Sequence, residues 1–89
     1  EGGRARAQEL VEGTLGPLLR HDARTRGQLV ATLDAYFGCG GNVARAARQL
    51  PVHVNTMHLR LTRIGELLGP DWRERDRSVE LNLALVRDE

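Results

Sequence analysis

The chain has 89 residues, room for one small domain, and its thirteen basic residues, all Arg, oppose twelve acids to leave a net charge of +1. Aromatics make up 3% (Tyr36, Phe37 and Trp72), so the core must be built from Leu, Val, Ile and Ala, a composition that suits packed helices. The single Cys39 excludes an internal disulfide and fits a reducing, cytoplasmic setting, while no apolar run reaches the roughly 18 residues of a membrane span and no signal-peptide pattern appears.

Residues 1–4 carry no ordering pattern, and Ala5 to about Glu12 can form a short helix. Gly16-Pro17 predicts a restart, because Pro is tolerated at a first helical position. A polar link is expected from His21 to Arg24, which makes residues 1–24 a linker with short helices and 25–89 the domain. The only Met is Met57, so the chain is expected to be a fragment of a longer protein.

Thr25-Arg26-Gly27-Gln28 has the form of a capping box, with the Thr hydroxyl accepting from the Gln28 amide. The helix it opens carries Leu29, Val30, Leu33, Tyr36 and Phe37 on one stripe. Gly38-Cys39-Gly40-Gly41 closes it, since Gly supplies left-handed geometry. Asn42 suits the N-cap of the next helix. There Val43, Ala46, Ala47 and Leu50 share one face, and Arg45, Arg48 and Gln49 point away. Small alanines let another helix cross closely.

Leu50 precedes Pro51, which disfavours helical geometry and ends that helix. A three-residue turn leads to His53 at the N-cap of a long helix. Met57, Leu61, Ile64 and Leu68 form its inner stripe. Asn55, Leu59, Thr62, Arg63 and Glu66 point outward, with Thr56, His58 and Arg60 on the flanks. Gly69-Pro70 stops it, a loop carries Trp72, and a last helix runs from about Asp76 to Arg87. This helix has two apolar stripes, Val79/Leu83/Val86 and Leu81/Leu85. It is therefore sandwiched, or one face meets another subunit. The expectation is an all-α bundle of five or six helices with a helix-turn-helix at 42–68.

Between Asp34 and Glu66 lie four Arg and no Asp or Glu. A basic, acid-free helical pair rewards a polyanion, so double-stranded DNA is the expected partner. In a helix-turn-helix the second helix enters the major groove with its N-terminal residues on base edges. Asn55 can pair bidentately with adenine, Thr56 can contact a phosphate or a base, and Val54 and Leu59 can meet thymine methyls. Arg60, Arg63, Arg45 and the amides from Asn42 to Ala44 would take phosphates. His53 reads as a cap and His58 as a solvated or phosphate-facing residue. The plainer account is a solvated helical pair whose Arg content reflects a GC-rich genome.

Other constellations carry little. His21, His53, His58 and Cys39 do not have metal-ligand spacing. Gly38-x-Gly40-Gly41 lacks the Lys-Ser/Thr of a phosphate loop. Asp71, Glu74 and Asp76 alternate with Arg73, Arg75 and Arg77, as in a solvated segment. No cofactor, metal or catalytic group is expected.

Residues 25–86 resemble the C-terminal helix-turn-helix domain of the PucR family of bacterial transcription regulators. The resemblance rests on Leu33-x-x-Tyr36, Gly40-Gly41-Asn42-Val43-x-x-Ala46-Ala47-x-x-Leu50, Val52-His53-x-Asn55-Thr56, Leu61-x-x-Ile64-x-x-Leu67 and Glu80-Leu81-x-Leu83-Ala84-Leu85. The shorter core is similar to the DNA-binding end of the factor for inversion stimulation. The resemblance implies an effector-sensing region outside these residues, binding as a homodimer or higher homo-oligomer, and no catalysis. The chain departs from the family pattern at Pro51, Val54 and His58-Leu59. Those departures motivate an alternative: a degenerate helix-turn-helix used for oligomerisation or protein interaction. On that alternative, Leu81→Glu or Leu85→Glu would break the assembly.

Overall fold

A computed structural model describes the backbone of residues 2–25 and 27–88 and the side chains of 11–25 and 27–86. The described residues form five helices: α1 (Gly2–Thr25), α2 (Leu29–Gly38), α3 (Val43–Gln49), α4 (Val54–Leu68) and α5 (Arg75–Asp88). The all-α class expected from the sequence is the class observed. None of these helices is long and apolar enough to cross a membrane.

The N-terminal expectation is corrected. There is no break at Gly16-Pro17 and no polar link at 21–24; α1 is one helix with Pro17 inside it. An interior Pro removes a backbone hydrogen bond and costs about 3 kcal/mol. Leu15 and Leu18 flank it and are fully buried, and each contributes about 1.5–3 kcal/mol by leaving water. Burial on both sides of Pro17 therefore holds the helix through it. α1 packs against α5, α2 and α4.

The capping box is corrected too. Thr25 is the last residue of α1, and its hydroxyl donates to the His21 carbonyl at 2.8 Å. Gln28 is the N-cap of α2 but offers no side-chain cap. Asp22 does that work from the preceding helix: its two carboxylate oxygens accept from the Leu29 and Val30 amides at 3.0 and 3.1 Å. A carboxylate forms stronger bonds to orphan amides than a hydroxyl does, and it complements the positive end of the helix dipole.

The glycine stop behaves as expected. Gly40 and Gly41 take φ of +63° and +83°, and the Gly41 amide reaches back to the Tyr36 carbonyl at 2.9 Å. Gly69, at φ +104°, follows α4.

Two clusters form the core. The larger joins Leu15 and Leu18 of α1, Leu29 and Leu33 of α2, Leu61 and Ile64 of α4, and Leu81, Ala84 and Leu85 of α5. Trp72 closes this cluster from the α4–α5 loop, with its ring 5.5 Å from Tyr36 and 6.1 Å from Phe37. It lies against α4 at Gly65, where an added Cβ would sit 3.2 Å from the indole nitrogen. The smaller cluster, Ala35, Ala46, Ala47 and Met57, is the α2–α3–α4 crossing. The two stripes of α5 part company: Leu81 and Leu85 turn inward, and Val79, Leu83 and Val86 face solvent.

Candidate nucleic-acid interface

The α3–α4 pair is built by local chemistry. Asn42 caps α3, its Oδ1 accepting from the Arg45 amide at 2.9 Å. The seven-residue helix buries Ala46 and Ala47, with Val43 half-buried beside them. It ends at Gln49, so residues 50–53 link the helices, one more than expected. Leu50 adopts φ −83° and ψ 0°, and the Val52 amide donates to the Ala47 carbonyl at 2.8 Å. The turn closes without a left-handed residue, which is how it accommodates Pro51.

His53 is the N-cap of α4, as the sequence suggests. Its Nδ1 accepts from the Asn55 amide at 3.0 Å, which assigns the ring hydrogen of the neutral form to Nε2. Along α4, Met57, Leu61 and Ile64 are buried, Leu68 is half-buried, and the opposite face is open. Asn55, His58, Leu59 and Thr62 are exposed on that face, with Leu59 at 73%. Val54 sits at its edge, 37% exposed. Thr62 lies in the middle of this surface by helical phase, although no specific contact was expected of it.

The remaining candidates divide. Arg45 is exposed on α3, and Thr56 is half-buried on the flank of α4. Arg63 is exposed but holds Glu66 at 2.9 Å. Arg60 is half-buried, and one of its terminal nitrogens donates to the Thr32 hydroxyl at 3.3 Å. Thr32 is fully buried and donates in turn to the Gln28 carbonyl at 2.6 Å. α4 is thereby tied to the start of α2 across 28 positions of sequence.

Beside Arg60 a cavity of about 320 Å³ opens between the α1–α2 junction and α4. His21, Gln28, Leu59, Arg60 and Arg63 stand around it. The sequence marked Leu59 and the two arginines, and not His21 or Gln28. His21, Gln28 and Thr32 meet α4 only through the tertiary fold, and no local pattern marks them.

Comparison with known proteins agrees with this architecture. The family model described as the PucR C-terminal helix-turn-helix domain matches residues 29–86. Over 43 residues, 48% of this chain, the sequence is 51% identical to uncharacterized proteins of Mycobacterium tuberculosis and Mycobacterium bovis. The chain spans 10% of the length of those relatives. No solved structure matches it.

Proposed function

Because this chain belongs to the PucR C-terminal helix-turn-helix family, we propose that it is the DNA-binding end of a bacterial transcription regulator, with α4 in the major groove. The observation that supports this most is the two-sidedness of α4. Its apolar stripe is consumed by the core, while Asn55, His58, Leu59 and Thr62 stand exposed on a surface with no acid before Glu66. Asn55 reads adenine, and Thr56 contacts a base or phosphate at the groove edge. Val54 and Leu59 meet thymine methyls. Arg45, Arg60 and Arg63 hold the backbone, Asn42 and His53 fix the helix starts, and His58 faces a phosphate. Any effector is bound by a region outside these residues, and the protein works in the cytoplasm. No catalytic step belongs to this reading.

The test is fluorescence anisotropy of the chain with labelled duplexes at several salt concentrations. If about four phosphates are neutralised per domain, the log-log slope of affinity against salt is about −3.5. Asn55→Ala should lose about 1–3 kcal/mol at one base position, and Arg63→Ala should weaken all duplexes alike. A salt-insensitive affinity contradicts the proposal.

A second reading, assembly through α5, has its own observation. Val79, Leu83 and Val86 are 62%, 46% and 66% exposed on one face. The substitutions that test it are on this stripe. Leu81 and Leu85, which the sequence suggested as interface positions, are core residues, so changing them would unfold the chain. In a two-fold dimer the paired α4 helices would meet half-sites about 34 Å apart. Leu83→Glu should then leave a folded monomer by sedimentation and weaken binding to a two-half-site duplex. If the chain assembles but never binds DNA, the interaction module is the better account.

A further inference from the structure

The cavity beside Arg60 has no role in the helix-turn-helix itself, yet it is continuous with the open face of α4. Leu59 and Arg63 belong to both. We propose that this cleft seats a backbone phosphate of the DNA, extending the footprint from α4 to the α1–α2 junction at Gln28 and His21. The inference rests on the DNA-binding reading and adds to it a second anchoring element.

Three observations support it. First, Arg60 is prepared for an anion. A guanidinium carries five N–H donors in a rigid plane, and the 3.3 Å bond to buried Thr32 tethers one terminal nitrogen while leaving other donors for a ligand. Such pre-orientation lowers the entropy lost on binding. Second, the acids around the cleft are engaged elsewhere. Asp22 spends its oxygens on the Leu29 and Val30 amides, with His21 3.5 Å away. Glu66 holds Arg63 at 2.9 Å in an exposed pair that a phosphate can replace with a bidentate contact. Third, the size fits. A cavity of about 320 Å³ takes one phosphate together with several waters, each of which occupies about 30 Å³ in the liquid.

A duplex is the source that this geometry favours over a free anion. The cleft opens beside exposed Leu59, so a groove resting on Leu59 brings its bordering strand over Arg60 and Arg63. Gln28, exposed on the far wall, would donate its amide to the same strand.

The experiment changes the far wall and leaves the arginines alone. The variants are Gln28→Arg, Gln28→Glu and, as a control with the same change in charge as Gln28→Arg, Glu12→Gln, exposed on α1 nine residues before His21. Affinity for a short mixed-sequence duplex is measured across a salt series, after circular dichroism shows each variant folded. Gln28→Arg should tighten binding severalfold and steepen the salt slope by about 0.9, the value of one added phosphate contact. Gln28→Glu should weaken binding severalfold, and Glu12→Gln should do neither. Replacing single backbone phosphates by neutral methylphosphonates should erase the Gln28→Arg gain at one or two linkages. A Gln28→Arg gain no larger than that of Glu12→Gln, or one that survives every neutral linkage, overturns the seat and leaves DNA binding standing. If the wild-type chain binds no duplex even at low salt, the DNA reading itself falls and the seat with it.

Discussion

The Asp22 cap yields the sharpest stability prediction, because it opposes two accounts of one helix start. Asp22→Ala removes two charge-assisted bonds, to the Leu29 and Val30 amides at 3.0 and 3.1 Å, from a side chain 19% exposed. Losing a helix cap costs about 1 kcal/mol and up to about 2, and losing the negative charge at the dipole adds about 0.3–1. A destabilisation of about 2 kcal/mol is expected. With an unfolding entropy of about 2.1 cal/mol/K per residue over 89 residues, that lowers Tm by about 10 °C. Asp22→Asn keeps one acceptor oxygen without the charge and should lose about half as much. Thr25→Ala should change stability by less than about 0.5 kcal/mol, since Thr25 caps nothing on α2. Urea unfolding followed by circular dichroism measures all three, with the midpoint moving and the m-value constant. If Thr25→Ala is the damaging change and Asp22→Ala is neutral, the local capping box is right and the cross-helix cap is wrong.

Two further substitutions probe the geometry behind the candidate interface. Ala47 is 2% exposed at the α3–α4 crossing, so Ala47→Leu should overpack it by about 1–3 kcal/mol; unchanged urea stability would mean that the helices cross more loosely than described. Gly41 holds φ +83° with the Tyr36 hydroxyl 3.5 Å from the position of an added Cβ, which is ordinary contact. Gly41→Ala should therefore cost about 1–2 kcal/mol in thermal unfolding through backbone conformation alone, and Gly41→Asn clearly less; equal losses would point to a steric cause.

The sequence was legible where a few neighbouring residues decide the outcome. Asn42 and His53 each cap the helix that follows them, so residue type and position suffice. The stripe Met57, Leu61, Ile64 fixes the rotation of α4 and hence its open face. It was illegible where distant partners override local chemistry. Pro17 reads as a helix start until Leu15 and Leu18 are seen in one core. Thr25 and Gln28 satisfy a local motif, but a carboxylate three residues before Thr25 takes the amides. Both stripes of α5 look alike in sequence, and only packing against α1 and α2 decides that Leu81 and Leu85 go inside. At the candidate interface, Arg60 was visible as a basic residue, but its anchor on Thr32 is tertiary.

The continuity of α1 sets a phase relationship. Its 24 residues make a rod of about 36 Å, turning about 100° and advancing about 1.5 Å per residue. The far half of that rod is bolted to the rest by Leu15, Leu18 and Asp22. Anything joined rigidly to its near end is therefore aimed, by residue count, at a fixed azimuth around the α3–α4 pair. Deleting one residue ahead of Leu15 would swing such a passenger by more than a quarter turn while leaving every core contact in place. Deleting seven, close to two whole turns, would restore its heading some 10 Å nearer.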